Sequence, residues 1–289
     1  MDMKRNYYED VQLFTSGVVV FWFCALMVFL ALFPFLFKNY YVYVANYIAI
    51  NIIVVIGLNL LVGYTGQISL GHAGFFAIGA YGTIILMTKL HFPFLLALPV
   101  AALAAALFGF LLGLPALRLE GPYLTIATLG FGLTITQVIG RLEFFGGRQG
   151  LHAPDLIIGP WHLNTDRDFY YLLITITVLL TISARNLIKT RVGRAFIAIR
   201  DADIAAETMG VNLVLYKTLS FAVSAFYAGI GGGLFAFVLR FIEPEVFTLL
   251  MSIMFLAMAV VGGLGSIMGS IAGACLLSWL DLQLRNILS

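Results

Sequence analysis

Apolar runs, each about as long as a membrane pass of roughly 20 residues, follow one another along the chain between short polar breaks. No Asp, Glu, Lys or Arg occurs from Asn39 to Thr88, a stretch that holds two passes joined by a tight turn. Further uncharged stretches run Leu90–Leu117, Gly121–Gly140, Phe169–Ala184, Thr218–Leu239 and Val246–Leu280. The last holds one full pass and a shorter or broken one. Lipid tolerates ionisable side chains poorly, so these gaps outline spans. They predict spans at 14–37, 40–62, 68–88, 93–117, 121–141, 169–188, 216–239, 247–262 and 265–287. The fold expected is an all-α, polytopic transmembrane helix bundle of about 8–10 spans. It forms a single membrane domain over residues 1–289.

Composition agrees with that pattern. The chain is 62% hydrophobic and only 10% charged, whereas an ordinary soluble domain carries about 25% charged residues. Lipid is the solvent that matches so much apolar surface. The net charge of +2 gives no reason to expect nucleic acid. Cys24 and Cys275 lie inside apolar runs, away from any CxxC or Cys/His spacing, and read as small packing residues. No metal or other cofactor is expected. The apolar run ending at Phe37 is too long for a signal-peptide core and lacks a small-residue cleavage site, so it reads as a retained first span.

The densest basic cluster, Lys189, Arg191, Arg194, Arg200 and Lys217, occupies the segment 189–217. Short basic loops stay in the cytoplasm. Counting spans back from it places Arg118 inside, the 142–168 loop outside, and Lys4 and Arg5 inside, with a cytoplasmic N-terminus. Nine spans put the C-terminus outside only if the last gap holds two full passes. Small residues recur at helical spacing in three ladders: Ala105, Gly109 and Gly113; Ala225, Gly229 and Gly233; Gly265, Gly269 and Gly273. These imply close helix packing in lipid.

Two stretches carry more than a span requires. Gly63 to Gly82 holds a run of glycines and the uncharged polar set Tyr64, Thr65, Gln67, Ser69 and His72. It reads either as a broken helix lining a wet cavity or as a plain cytoplasmic turn. His72 alone fits a hydrogen-bonded structural histidine better than a proton relay. In Arg191–Gly210, Val192, Ala195, Phe196 and Ile199 form one helical face, with Arg191, Arg194 and Arg200 off it. Asp201 and Asp203 are cap-type residues before a second short helix, and Gly210 is placed to stop it. The apolar face of this pair meets a soluble partner, the chain's own bundle or the lipid surface.

Absences narrow the energy source. The chain has no P-loop. Ion-coupled carriers usually keep an acid within the membrane, and the longest spans here have none. Transport by this chain is therefore passive or driven from outside. No nucleophile, base and orienting acid stand at recognisable spacing, so no catalytic residue is assigned.

Five segments, in order, resemble the LivM-type permease of branched-chain amino acid ATP-binding-cassette importers. Gly63-Tyr-Thr-Gly-Gln-Ile-Ser-Leu-Gly-His-Ala-Gly-Phe-Phe76 is similar to that family's most recognisable segment. Leu117 to Leu129 resembles the start of its fifth span, Gly146-Gly-Arg-Gln-Gly-Leu151 its outer-loop glycine motif, Gly193 to Val211 its coupling segment, and Val261 to Gly269 its late glycine turn. The likeness covers about residues 50–280. It implies a heteromeric importer in the bacterial cytoplasmic (inner) membrane. The partners implied are two ATPase subunits, a LivH-type sister permease and an extracytoplasmic solute-binding protein. It assigns Gly193, Arg194, Asp201, Asp203, Glu207 and Gly210 to ATPase coupling, and Gly146, Gly147 and Gly150 to the outer loop. Family members usually continue past the late glycine turn into a further apolar helix and a basic tail. Here the sequence stops at Ser289, which leaves the C-terminal topology open.

An uncharged path lined by amides, hydroxyls and glycine backbone suits a small neutral or zwitterionic solute. Leucine, isoleucine and valine fit, as do urea and short amides. Asn59, Tyr64, Gln67, Ser69 and His72 are the path candidates. A stand-alone channel or ion-coupled carrier is the rival of another class.

Overall fold

The computed structural model describes residues 17–116, 119, 121–158, 161–162 and 165–288. Lys4, Arg5 and Arg118, used above for orientation, lie outside the described residues, as does the side chain of Cys24. Within them the chain forms α1 (Gly17–Leu36), α2 (Asn39–Thr65), α3 (His72–Thr88), α4 (Phe94–Ala116), α5 (Pro122–Arg141), α6 (Asp166–Lys189), α7 (Arg191–Thr208), α8 (Leu213–Leu239), α9 (Leu249–Gly262) and α10 (Ile267–Leu288). Each apolar run marked in the sequence holds a helix among the described residues. Asp166 opens α6 three residues before the expected span, with Asp166 and Asp168 placed in its first turn, where carboxylates favour the helix dipole.

Helices α2, α4, α5, α6, α8 and α10 are long and apolar enough to cross a membrane. Of these, α2 and α8 are buried along most of their length, while α4, α5, α6 and α10 bury a third of theirs or less. A helix that is apolar all round belongs either inside a bundle or against lipid, and both kinds occur here. The core therefore centres on α2 and α8, with α8 packed on α2, α3 and α4.

Two of the small-residue ladders prove to be the two sides of one interface. Helix α4 runs against α8, with Gly113 on Thr218, Gly109 on Phe221 and Ala225, and Ala105 on Gly229. A Cβ on Gly109 would lie 2.7 Å from the carbonyl oxygen of Phe221, so only glycine admits that approach. In the third ladder, Gly269 and Gly273 meet Gly262 across the α9–α10 turn. Cys275, half-buried, packs against the main core.

Helices α3 and α9 are shorter, at 17 and 14 residues. At 1.5 Å per residue they reach about 25 and 21 Å, less than the roughly 30 Å of hydrocarbon. The expected span 68–88 is helical only from His72, because residues 66–71 form an irregular connection. The segment between α8 and α9 also turns back into the bundle: Phe247 is buried against Phe76, Tyr81 and Phe235. The first turns of the two short helices meet, where the Ala73 amide donates to Ser252 Oγ at 2.9 Å.

The loops fall at opposite ends of the bundle. At one end, strand β1 (Leu151–His152) pairs antiparallel with β4 (Phe241–Ile242), and β2 (Ile157–Ile158) pairs with β3 (Trp161–His162). At the other end lie α7, the 66–71 connection and the α9–α10 turn, brought together through Arg200 and Asn59. The apolar stripe of α7 folds back on the bundle, with Ala195, Phe196 and Ile199 buried and Val192 half-buried.

Candidate functional site

The polar residues around the α2–α3 break are buried and bonded to one another. Asn59 Nδ2 donates to Ser270 Oγ at 2.6 Å and to the Ser266 carbonyl at 2.9 Å, while its Oδ1 accepts from the Gly265 amide at 2.9 Å. One amide thus ties α2 to the α9–α10 turn. Gly66 ends α2 in the left-handed conformation, at φ 77°. Gln67 Nε2 then donates to Ser220 Oγ at 2.9 Å, and Gln67 Oε1 is buried with no partner among the described residues. The Leu70 amide donates to Thr128 Oγ1 at 3.0 Å, which supplies an acceptor that the irregular backbone lacks.

His72, at 0% exposure, has its Nδ1 3.2 Å from Ser69 Oγ and its Nε2 2.7 Å from Ser224 Oγ. Neither ring nitrogen is free. Tyr64 is buried and bonded to the Ile267 backbone. Sequence reasoning thus placed Asn59, Tyr64, Gln67, Ser69 and His72 in one region, and the fold gathers them there. Only Gln67 lines a cavity described below.

That cavity, about 300 Å³, opens at the α7 end. Thr65, Gly66, Gln67 and Ile68 line one side, Gly121 and Leu124 another, and Arg200, Asp201, Asp203 and Lys217 the third. Arg200 stands in its wall; the sequence pattern marks it as a member of the basic cluster and a cation off the apolar stripe, not as a site residue. Its Nη1 donates to the Gly63 carbonyl at 2.9 Å, and its Nη2 pairs with Asp201 at 3.0 Å. A cation at the carbonyl end of α2 complements the helix dipole. Gly66 and Gly265 clear its slot, since a Cβ would sit 3.3 Å from Arg200 Cγ at one and 3.0 Å from Nη1 at the other.

Helix α7 is two helices joined at a kink, with Ala202 extended at φ −164° and ψ 96°. Asp201 pairs with Arg200 and does not cap the second half. Asp203 Oδ1 accepts from the Ile204 amide at 2.8 Å, and its Oδ2 lies 3.5 Å from Lys217 Nζ. Gly210 closes the segment at φ 86°, as expected. Gly193 allows α7 to approach the end of α6 at Ile188. Arg194 and Glu207 are exposed, with Arg194 bonded to the Lys189 carbonyl at 3.2 Å. Past the kink, Ile204 is 77% exposed and Met209 85%, so this half presents an apolar surface that the bundle does not cover.

A second cavity, about 500 Å³, lies at the loop end and is lined by Thr136, Gln137, Gly140, Arg141, Arg148, Pro244 and Glu245. Gly146, Gly147 and Gly150 all have positive φ. At Gly150 any Cβ would strike the Ile242 carbonyl, where β1 and β4 pair. The glycines therefore fold the loop tightly onto the 241–246 segment and bring Arg148 to the cavity.

Residues 40–289 match the family described as branched-chain amino acid transport system / permease component. The chain is 36% identical to the high-affinity branched-chain amino acid transport system permease protein LivM of Escherichia coli, over 88% of this chain and 65% of that protein. It is 37% identical to the LivM protein of Salmonella typhimurium, with the same coverage. A probable branched-chain amino acid transport permease protein LivH of Methanocaldococcus jannaschii is 26% identical over 77% of this chain and 74% of that one. The chain thus spans about two thirds, 65%, of the length of the two LivM relatives. No solved structure matches it. A bundle of membrane-length helices, a broken polar core and the match over residues 40–289 agree: the chain belongs to the permease-component family of branched-chain amino acid transport systems.

Proposed function

We propose that this chain is a permease subunit of an ATP-binding-cassette importer that moves leucine, isoleucine and valine across the bacterial cytoplasmic membrane. Two separate ATPase subunits supply the energy, a LivH-type sister permease completes the channel, and an extracytoplasmic binding protein delivers solute. The observation that carries this reading is the kinked helix α7. Its first half is anchored in the bundle, and its second half exposes Ile204 and Met209 to a partner. With α7 on the cytoplasmic side, the 142–168 loop and the 500 Å³ cavity face outward and the N-terminus lies inside.

Arg200 joins the two functions. Movement of the ATPase-facing half about Ala202 pulls on the guanidinium that holds the Gly63 carbonyl. The α2–α3 connection just beyond Gly63 then opens or closes the inner cavity, at whose wall Gln67 stands. Asn59, Tyr64, Ser69 and His72 hold the break in register, while Gln67 meets the solute. Gly193, Asp203 and Gly210 set the shape of the coupling segment; Arg194 and Glu207 offer charge to the ATPase.

The test is leucine uptake into proteoliposomes holding the two permeases and the binding protein, with or without the ATPase subunits. Uptake against a gradient is expected only with the ATPase subunits and ATP. Concentrative uptake without them would contradict the reading and favour a carrier.

A further inference from the structure

Helix α5 joins the two cavities. Gly121 and Leu124, at its start, line the inner one; Thr136, Gln137, Gly140 and Arg141, near its end, line the outer one. Between them Tyr123, Ala127, Gly130, Thr134, Gln137 and Arg141 follow one another at steps of four and three, a single stripe of the helix. All six are exposed. Thr134 turns its hydroxyl onto the Gly130 carbonyl at 2.8 Å, but the amide of Gln137 and the guanidinium of Arg141 do not suit hydrocarbon; they belong against water, solute or protein.

The outer cavity is also chemically unusual. Among the described residues, Arg141, Arg148 and Glu245 make no side-chain hydrogen bond or ion pair. Two guanidinium groups and one carboxylate therefore line the same concave space without neutralising one another. A guanidinium takes a carboxylate through two parallel bonds, and a carboxylate takes an ammonium. A lone carboxylate would leave Glu245 without a partner, and a lone amine would leave the two arginines without one. A cavity of about 500 Å³ lies in the range that holds small solutes.

We propose that this cavity is the outer reception site for an amino-acid zwitterion. Arg141 and Arg148 hold the solute's α-carboxylate, Glu245 its α-ammonium, and the exposed stripe of α5 leads it toward Gln67. The inference rests on the amino-acid importer reading above and adds to it the groups that recognise the zwitterion.

The test uses the complete importer in nanodiscs, without binding protein or nucleotide, and measures binding of radiolabelled leucine. 4-Methylpentanoate, which lacks the ammonium, and 3-methylbutylamine, which lacks the carboxylate, compete. The unaltered complex should prefer leucine to both by at least about tenfold. Glu245→Gln should weaken leucine by about tenfold and leave 4-methylpentanoate little changed. Arg141→Gln should weaken leucine similarly and spare 3-methylbutylamine, with Arg141→Lys retaining part of the affinity. Leucine binding unchanged in both neutral variants, in a complex that imports leucine, would overturn the site alone. So would variants that bind leucine normally in this assay but fail to retain the binding protein in a parallel co-purification, because the charges would then form a docking surface. Failure of the unaltered complex to import leucine would overturn the importer reading, and this site with it.

Discussion

The cavities at the two ends of the bundle treat charge in opposite ways. At the α7 end, Arg200 is engaged by Gly63 and Asp201, and Lys217 by Asp203, while apolar Ile204 and Met209 stand exposed. At the loop end the backbone is tightly folded by glycines, yet Arg141, Arg148 and Glu245 have no such partners among the described residues. Internally bonded charge holds one part of a molecule to another; charge left unbonded in a cavity is suited to something that arrives. The proposed function gives one end the transmission of a push and the other the reception of a polar solute.

The sharpest way to break that contrast is to put charge where the α7 end is apolar. Ile204→Asp with Met209→Asp should weaken association with the ATPase subunits by about 100-fold, read by co-purification at graded detergent dilution. Removing internal bonding comes next. Asn59→Leu leaves the Gly265 amide without its acceptor and takes one donor each from the Ser266 carbonyl and Ser270 Oγ, and should cost about 3 kcal/mol, seen as a lowered Tm of the purified complex. At the loop end, Gly150 sits at φ 75° and ψ −172°, a region essentially reserved for glycine. Gly150→Ala should cost about 2 kcal/mol and free the 146–151 loop to faster hydrogen exchange. The smallest effect is expected at Gln67→Ala, which loses one bond to Ser220, worth about 1 kcal/mol, and should slow leucine uptake by about fivefold.

Much of this architecture is legible in the sequence because lipid excludes charge. The span expected at 93–117 is the helix Phe94–Ala116, and that expected at 247–262 is Leu249–Gly262. The polar break is legible too, since glycine and uncharged polar groups have no place in a lipid-facing helix. The kink in α7 follows from the Asp201–Asp203 signal, although Asp201 turns to Arg200 instead of capping. What pattern cannot reveal is which distant groups meet. Asn59 finds Ser270, Asn51 finds Ser278 at 2.8 Å, and Arg200 reaches back to Gly63. Those pairings depend on how helices far apart in the chain pack, and no local period records that. Arg148 illustrates the same limit: its glycine neighbours stand out as a turn, but its cavity exists only once β1 meets β4.

The central claim is that work enters through α7 and reaches the α2–α3 break through Arg200. Arg200→Ala in the reconstituted importer tests it most directly, with leucine uptake and ATP hydrolysis measured on the same vesicles. Hydrolysis should persist while uptake falls by more than about tenfold, the loss expected from removing a charged hydrogen bond. Uptake that keeps pace with hydrolysis in the Arg200→Ala complex would contradict the account.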